Sequence, residues 1–218
     1  MSRPTPSSSR STKDTLDDQR RPKFAARHTE LLEIAAAVFS ERGYDATTIS
    51  DLVEATNLQR GGLYYYIGGK KELLLEIHRR AMEPLLEITA EISAADLPPD
   101  QMLREVARAL MSTIERSAKL VAVFLHEWRV IENDPDWSEL RQERHTYESL
   151  VESMLERGRE EGLFHFADSR LTLMAFLGML NYSYRWFDAS GRRPAEEVAD
   201  AFVDIFLRGL TSPTAGGV

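Results

Sequence analysis

Hydrophobic residues recur at helical spacing along almost the whole chain, and no stretch of strand length alternates apolar with polar residues. Prolines, glycines and capping residues divide this pattern into segments. The longer predicted helices run over about residues 24–43, 70–92, 98–116, 119–132, 134–161, 168–187 and 194–209, with two short ones between 47 and 69. The pattern therefore predicts an all-α fold of about nine helices with almost no strand.

Residues 1–22 contain almost no apolar side chains and are rich in serine, threonine, proline and arginine. Such a segment cannot bury enough surface to offset the entropy lost on ordering, so it is predicted to be a disordered arm. The cations in the arm and just after it are Arg3, Arg10, Lys13, Arg20, Arg21, Lys23 and Arg27. The arm is either a solubilising tail or a DNA contact like the homeodomain arm. Residues 212–218 are predicted to be a flexible tail.

The segment from Thr47 to Lys71 indicates a function more specifically than any other part of the chain. Thr47 or Thr48 can cap a short helix, and Asn57 suits the left-handed backbone of a sharp turn that follows it. A second short helix, rich in glycine and tyrosine, comes next. Two helices joined in this way form a helix-turn-helix, which places its second helix in the major groove of DNA.

The second short helix has an unusual composition for a purely structural element. Gly61 and Gly62 are poor helix formers, so their presence indicates a close approach of the backbone to a base edge or a phosphate. Tyr64, Tyr65 and Tyr66 project about 100° apart around a helix, so they cannot all be buried. At least one hydroxyl should point outward, where it could contact a phosphate oxygen.

The charge distribution favours the same end of the chain as the DNA-binding end. Lys70 and Lys71 stand at a helix N-terminus, where the helix dipole disfavours cations, so phosphate is predicted to be their partner. Residues 1–80 carry a net charge of +2 and residues 81–218 carry −10, within a total of −8. The half that holds the helix-turn-helix pattern is thus the half that DNA does not repel.

Several classes of protein are excluded by what the sequence lacks. The chain has no cysteine, which rules out disulfides and thiol nucleophiles and fits the reducing cytoplasm. No apolar run approaches the roughly 20 residues that a membrane helix needs. Glu-x-x-His, Gly-x-Ser-x-Gly, Walker A and Gly-x-Gly-x-x-Gly patterns are all absent from the sequence. We therefore expect no enzymatic activity, no cofactor and no metal.

The motifs Thr47-Thr48, Gly62-Leu63-Tyr64-Tyr65-Tyr66 and Gly69-Lys70 together resemble the TetR family of bacterial transcriptional regulators. The resemblance covers roughly residues 24–77. It implies an N-terminal helix-turn-helix domain over residues 23–70 and a C-terminal ligand-binding and dimerisation domain over residues 71–211. It also implies a homodimer.

The family's DNA contacts can be carried over to the matching positions. The resemblance implies phosphate contacts for Thr48, Tyr64 and Lys70, and positions nearest the bases for Arg60, Gly62 and Tyr65. Core packing is the alternative for Tyr64, and a solvated surface charge is the alternative for Arg60. Gln59 and Gly69 stand where the family usually has capping residues, so weaker capping around the recognition helix is expected.

Methionine and aromatic residues are concentrated in residues 100–210. Such side chains on facing helices can line an adaptable apolar pocket, and they can as easily form core. Polar residues among them either orient a ligand or form buried or interfacial ion pairs. The residues predicted to bind an effector are Met111, Phe124, Trp128, Tyr147, Met154, Asn181 and Arg185.

The C-terminal motifs Tyr184-Arg185-Trp186-Phe187, Gly191 and Pro194-Ala195-Glu196-Glu197 resemble those TetR members that sense acyl-CoA thioesters. This resemblance implies a long apolar pocket for an acyl group, with an arginine near the CoA phosphates. It also implies dimerisation through the last two helices. The apolar face predicted for that interface comprises Leu173, Phe176, Leu180, Val198, Phe202, Ile205 and Phe206.

The sequence thus predicts a cytoplasmic, ligand-responsive repressor that binds double-stranded operator DNA as a homodimer. A small apolar effector, such as an acyl-CoA thioester, would release it. A repressor of the same family that senses lipophilic cations is the main alternative, because an aromatic, acidic pocket suits cations. A helical protein–protein adaptor without DNA binding is a further alternative.

Overall fold

The computed structural model describes the backbone of residues 12–210 and the side chains of residues 23–210. Over this part of the chain it has nine α-helices and no strand. The helices are α1 (Thr12–Arg42), α2 (Ile49–Thr56), α3 (Arg60–Ile67), α4 (Lys70–Ala94), α5 (Pro99–His126), α6 (Trp128–Asn133), α7 (Ser138–Glu160), α8 (Ser169–Asn181) and α9 (Ala195–Leu210). Two 3-10 turns, Pro135–Trp137 and Tyr182–Arg185, complete the fold. The predicted all-α class is confirmed.

Capping residues set several helix boundaries where the sequence predicts them. Gly43, at φ 82°, ends α1 and donates its N–H to Phe39 O at 2.8 Å. Asn57 adopts the left-handed conformation, φ 53° and ψ 31°, in the turn after α2. The Asp168 side chain accepts the Leu171 N–H at 2.8 Å and so caps α8. These residue types are suited to such positions, and the chain uses them there.

Other boundaries differ from the predicted ones. The break predicted between residues 116 and 119 appears as a kink at Ser117, whose φ of −158° and ψ of 72° interrupt α5. A second break separates α5 from α6 near Glu127, and α8 ends at Asn181 rather than at residue 187. Neither position carries a proline or a glycine, so tertiary packing rather than local residue type sets both ends.

The N-terminal end of α1 also differs from the prediction. Its backbone is helical from Thr12, whereas the composition predicts a disordered arm over residues 1–22. Once the packed turns around Leu31 have formed, each further residue adds one backbone hydrogen bond at little cost, so a polar segment can extend the helix. Residues 1–11 of the predicted arm and the predicted tail, residues 212–218, lie outside the described residues.

Two hydrophobic cores organise the chain. The N-terminal core packs α1, α2 and α3 on the first turns of α4, through residues such as Leu32, Leu52, Leu63 and Leu74. It also takes in side chains of the later helices, namely Leu120, Val123, Ile131, Trp137 and Leu140. The C-terminal core lies between the rest of α4 and helices α5, α7, α8 and α9. The long helix α4 therefore contributes to both cores.

Polar contacts also join the two ends of the chain. The Tyr44 N–H, after α1, donates to a carboxylate oxygen of Glu127 at 2.9 Å. The Ser117 hydroxyl, at the kink in α5, donates to Glu33 on α1 at 3.0 Å. These contacts and the shared N-terminal core hold the helix-turn-helix against the kinked end of α5. Among the described residues, no helix is long and apolar enough to cross a membrane.

Candidate DNA-binding surface and effector cavity

Helices α2 and α3 form the predicted helix-turn-helix. Thr48 closes a capping box at the start of α2, because its hydroxyl accepts the Asp51 N–H at 3.2 Å and its own N–H donates to Asp51 at 2.8 Å. Gln59 and Gly69, at the starts of α3 and α4, make no side-chain capping bond. The recognition helix α3 is therefore held by its buried residues, Leu63 and Ile67, rather than by its ends.

The outward face of α3 carries the residues predicted to contact DNA. Tyr65 is 73% exposed and Tyr64 is 42% exposed, so neither is a core residue. Arg60 is exposed at the first position of α3 and forms no ion pair with the other described residues. A methyl group at Gly61 would meet no atom within 4 Å, so packing within the protein does not require this glycine. A contact between this part of α3 and another molecule would explain why a glycine is present at position 61.

Aromatic packing fixes how α3 is presented. The rings of Phe24 and Tyr66 stack with centroids 5.0 Å apart, and Phe24 meets Tyr65 edge-on at 5.7 Å. Tyr65 and Tyr66 also meet edge-on at 5.2 Å. The sequence identifies Phe24 as apolar but gives no sign that it supports α3. This contact limits the orientations that the exposed Tyr65 ring can adopt.

The two lysines at the start of α4 have different partners. The Lys70 ammonium lies 4.2 Å above the Tyr44 ring and donates to the Asp45 carbonyl oxygen at 3.3 Å, which leaves donor capacity for a phosphate. Lys71 instead forms ion pairs with Asp134 at 3.2 Å and Asp136 at 2.8 Å. One residue along a helix turns the side chain by about 100°, which directs Lys71 toward the 3-10 turn. A phosphate contact for either lysine stays a prediction.

Thr48 is exposed at the same surface, but its polar atoms already have partners. Its hydroxyl donates to Asp51 at 2.7 Å, and Asp51 also accepts from Arg42 at 2.7 Å. The hydrogen bonds from Thr48 lower the pKa of Asp51, so its carboxylate stays ionised. A phosphate could take the place of Asp51 as acceptor of the Thr48 hydroxyl proton.

A cavity of about 40 Å³ lies inside the C-terminal core, between α4, α5, α7 and α8. Most of its wall is apolar. The residues that line it are Ala81, Met82, Leu85, Leu110, Thr113, Val121, Phe124, Leu125, Arg144, Tyr147, Glu148, Leu177 and Asn181. This volume is far below the roughly 300–1,000 Å³ of typical ligand pockets, so a ligand could enter only if the helices separated.

The polar groups of the cavity are of two kinds. Glu148 is the carboxylate among the lining residues, and it accepts hydrogen bonds from Arg144 at 2.9 Å and Arg170 at 2.6 Å. The Tyr147 hydroxyl is buried and has no hydrogen-bond partner among the described residues. Burial, followed by the nearby Glu148 charge, raises the pKa of Tyr147, so this hydroxyl remains a neutral donor.

The residues predicted to bind the effector separate into two sets. Phe124, Tyr147 and Asn181 line the cavity. Met111 and Met154 are packed in the C-terminal core and are not among the lining residues. They were predicted from residue type, which does not distinguish a pocket wall from solid core.

Trp128 and Arg185 also lie elsewhere. Trp128 packs against the N-terminal core and is covered by the Arg144 guanidinium, 4.2 Å from its ring centre. Arg185 is exposed in a separate groove beside His126 and Tyr184. The shortening of α8 to Asn181 explains this position, because it places Arg185 in a 3-10 turn rather than on a helix face beside the cavity.

The arginines beside the cavity were not predicted from the sequence. An open groove between α1, α4 and α5 shares Ala81 and Thr113 with the cavity, and it carries Arg80 and Arg116. Glu33 and Glu83 also line it. For the charged wall of the cavity itself, the i, i+4 spacing of Arg144 and Glu148 was the signal in the sequence that could have revealed it.

The outer surface of α8 and α9 differs from the predicted dimer face. Leu173, Phe176 and Leu180 on α8, and Val198 and Phe206 on α9, are buried in the protomer's own core. Ile205 is 62% exposed and Leu171 is 69% exposed, while Phe202 is partly buried. Both helices are apolar on more than one face, so their periodicity could not indicate which face turns inward. Met174, Tyr182 and Trp186 are further exposed apolar residues here.

An exposed second helix after a sharp turn, supported on a helical domain with an internal cavity, defines a helix-turn-helix DNA-binding protein. Residues 31–77 match the family described as bacterial regulatory proteins, tetR family. Residues 96–210, more than half of the chain, match the tetracyclin repressor-like C-terminal domain. The chain belongs to the TetR family of DNA-binding transcriptional regulators.

Three solved structures show how far this likeness extends. PfmR from Thermus thermophilus is 34% identical over 84% of this chain and 99% of its own, with a TM-score of 0.70. The ketosteroid transcriptional regulator KstR2 of Mycobacterium tuberculosis is 28% identical over 86% and 96%, with a TM-score of 0.79. AibR, in complex with isovaleryl coenzyme A and operator DNA, is 27% identical over 82% and 97%, with a TM-score of 0.69.

Proposed function

We propose that this protein is a homodimeric repressor that an acyl-CoA thioester releases from its operator DNA. The observation that carries the effector class is the cavity wall, which is mainly apolar and whose carboxylate, Glu148, is neutralised by Arg144 and Arg170. An apolar acyl chain fits such a wall. A lipophilic cation would find no uncompensated negative charge there.

The thioester carbonyl needs a hydrogen-bond donor if it is to leave water. The buried hydroxyl of Tyr147 and the Asn181 amide are the neutral donors that line the cavity beside its threonine. A carbonyl oxygen accepting from Tyr147 would satisfy a hydroxyl that has no partner among the described residues. This contact would favour a thioester over a plain hydrocarbon.

The charged part of CoA would lie outside the cavity. The groove that shares Ala81 and Thr113 with the cavity presents Arg80 and Arg116 next to it. Guanidinium groups bind phosphates through paired hydrogen bonds. Arg116 and Arg80 are therefore our candidates for the arginine that the resemblance implies near the CoA phosphates. The likeness to AibR, which is bound to isovaleryl coenzyme A and operator DNA, supports the same class of effector.

The mechanism follows from the small size of the cavity. Since about 40 Å³ cannot hold an acyl chain, the effector must bind a conformer in which α4 has moved away from α5 or α7. Helix α4 begins two residues after Gly68, which ends α3, so its movement is transmitted to the recognition helix. The effector lowers operator affinity by its preference for this conformer.

The dimer brings two recognition helices to the same DNA. Exposed apolar residues on α8 and α9, including Leu171 and Ile205, offer a surface for a second copy. In a helix-turn-helix dimer the two reading helices lie about one turn of DNA apart, roughly 34 Å. A change in their separation would break the match with both half-sites.

The test has two stages. DNA fragments are first selected from genomic DNA with the purified protein, and their affinity is then measured by fluorescence anisotropy at several salt concentrations. Decanoyl-CoA should release the fragment, whereas free CoA and tetraphenylphosphonium should not. Release by tetraphenylphosphonium alone would support the cation-sensing alternative, and failure to select any fragment would contradict the repressor proposal.

A further inference from the structure

His78 is a buried polar residue with no assigned role. It lies on α4, one helical turn before Ala81 and Met82, which line the effector cavity. Its side chain is completely buried, and neither ring nitrogen has a hydrogen-bond partner among the described residues. A buried imidazole without a hydrogen-bond partner destabilises the folded protein relative to an apolar side chain of similar size. The presence of a histidine here therefore needs an explanation.

His78 packs against one of the aromatic rings that line the cavity. Its ring centre lies 5.0 Å from that of Phe124, which lines the cavity. Trp137, in the N-terminal core, meets the His78 ring edge-on at 6.5 Å. His78 itself does not line the cavity, so the Phe124 ring would have to move for a ligand to reach the imidazole.

The chemistry of the imidazole can be stated. Burial, followed by the positive charge of Arg144, lowers the pKa of His78 to about 3, so the ring is neutral near pH 7. A neutral imidazole offers one N–H donor and one nitrogen acceptor. It can bind a hydroxyl through either nitrogen and a ketone through the N–H.

We propose that His78 forms the distal end of the effector site and binds an uncharged polar group, a hydroxyl or a ketone oxygen, on the effector's apolar body. Binding would displace the Phe124 ring and extend the cavity along α4. This inference rests on the proposed function, because it assumes that the apolar body of the effector occupies the cavity.

The surrounding charges favour a neutral group at this position. Arg144, the cation whose charge acts on His78, is already paired with Glu148 at 2.9 Å, and its guanidinium lies over the Trp128 ring at 4.2 Å. A cationic ligand group would meet Arg144 and a neutral imidazole. A carboxylate would lose its hydration while competing with Glu148 for Arg144.

The position along α4 determines which part of the effector reaches His78. From Leu85, at the far end of the cavity wall, to His78 the helix rises about 10 Å. An acyl chain that runs along α4 from Leu85 toward Phe124 would bring its distal end toward His78. Because His78 lies between the two cores, a group bound there acts on α4 close to the recognition helix.

The experiment compares matched thioesters that differ only at the distal carbon. Hexanoyl-, octanoyl- and decanoyl-CoA and their ω-hydroxy derivatives are titrated by calorimetry into the wild-type dimer, His78→Phe, His78→Asn and the control His145→Phe. His145 is an exposed histidine on α7. Thermal denaturation shows which variants are folded, and His78→Phe should be at least as stable as the wild type because it removes an unpaired polar group.

At one chain length the wild type should bind the ω-hydroxy thioester about 3- to 10-fold more tightly than its parent. His145→Phe should keep this preference, His78→Asn should keep part of it, and His78→Phe should lose it while still binding the parent compound. If the wild type binds the two members of every matched pair equally, or if His78→Phe keeps the preference, the inference about His78 is overturned but the acyl-CoA proposal is not. Absence of binding by every thioester would overturn both the inference and the acyl-CoA proposal.

Discussion

The buried carboxylate of Glu148 on α7 accepts a hydrogen bond of 2.6 Å from the guanidinium of Arg170 on α8. Arg144 donates to the other oxygen at 2.9 Å, so one carboxylate joins the cavity wall to the first turn of α8. Helix α8 carries part of the proposed dimer surface. This contact therefore connects the effector cavity with the dimer interface.

The Glu148 network should make stability depend on pH. Burial raises the pKa of Glu148, but the hydrogen bonds from Arg144 and Arg170 outweigh it and hold the pKa below 4.5, the usual glutamate value. Glu148→Gln should therefore lower the free energy of unfolding by about 1–2 kcal/mol at pH 7. A folded-state pKa that is depressed stabilises the protein above the unfolded-state pKa. The difference in the free energy of unfolding between the wild type and Glu148→Gln should thus be fully present above pH 4.5. It should disappear as the pH falls through the folded-state pKa of Glu148.

Urea denaturation of the wild type and Glu148→Gln at a series of pH values measures this difference. Glu160→Gln, an exposed glutamate at the end of the same helix, provides the matched control and should change little at any pH. A difference for Glu148→Gln that does not change between pH 7 and the acid range would contradict the account.

Tyr65 and Lys70 should be needed for DNA binding but not for folding. Tyr65 is largely exposed, and the Lys70 ammonium has the Tyr44 ring and the Asp45 carbonyl as its partners among the described residues. Tyr65→Ala should weaken operator binding at least about tenfold, a loss of about 1–3 kcal/mol. Lys70→Ala should weaken it and reduce the salt dependence by about one phosphate contact.

Gel-shift and anisotropy titrations with salt series measure these losses, and Lys119→Ala, at an exposed lysine just after the kink in α5, is the control for a lost lysine. Circular dichroism should show that all variants keep their helical content. Normal operator affinity in both Tyr65→Ala and Lys70→Ala would rule out α3 as the recognition helix.

Replacing Gly61 with alanine should raise the stability of the protein and impair its DNA binding. A methyl group there meets no atom within 4 Å, and alanine is favoured over glycine in a helix by about 1 kcal/mol. If the backbone at Gly61 approaches DNA, the same methyl group should lower operator affinity. Thermal denaturation and anisotropy on one sample test both effects, and a gain in stability with unchanged affinity would show that the glycine is not a DNA contact.

Ile205 should be part of the dimer surface. It is 62% exposed on α9, where a charged residue in a dimer interface would be buried without a partner. Ile205→Glu should shift the protein from dimer to monomer in analytical ultracentrifugation and lower operator affinity. Ile88→Glu, at an exposed isoleucine on α4, should remain dimeric. A dimeric Ile205→Glu would place the interface elsewhere.

Local chemistry made part of this structure predictable. Asn57 in a left-handed turn, Thr48 as the cap of α2 and the exposed Tyr65 follow from residue type and helical spacing. The carboxylate partners of Lys71 could not be predicted, because Asp134 and Asp136 lie more than 60 residues away in sequence. A contact between residues so far apart in sequence forms only when the 3-10 turn before α7 packs beside the start of α4, which the local sequence does not show.

The cavity and the dimer surface show the same limit more strongly. Phe124 lines the cavity and Met111 lies in solid core, although both are apolar residues on the same helix. Leu173 is buried and Leu171 is exposed, although both are leucines on α8. Residue type gives the tendency to be buried, whereas the neighbouring helices decide what each side chain meets.

The most direct test of the central claim is the distance between the two helix-turn-helix domains of the dimer. The sequence contains no cysteine, so Glu54→Cys on the exposed side of α2 gives a single spin-labelling site per protomer. Double electron–electron resonance should give one label-to-label distance with selected operator DNA bound. Saturation with decanoyl-CoA should shift that distance by several ångströms and release the DNA. An unchanged distance at a decanoyl-CoA concentration that calorimetry shows to be saturating would contradict the proposed mechanism.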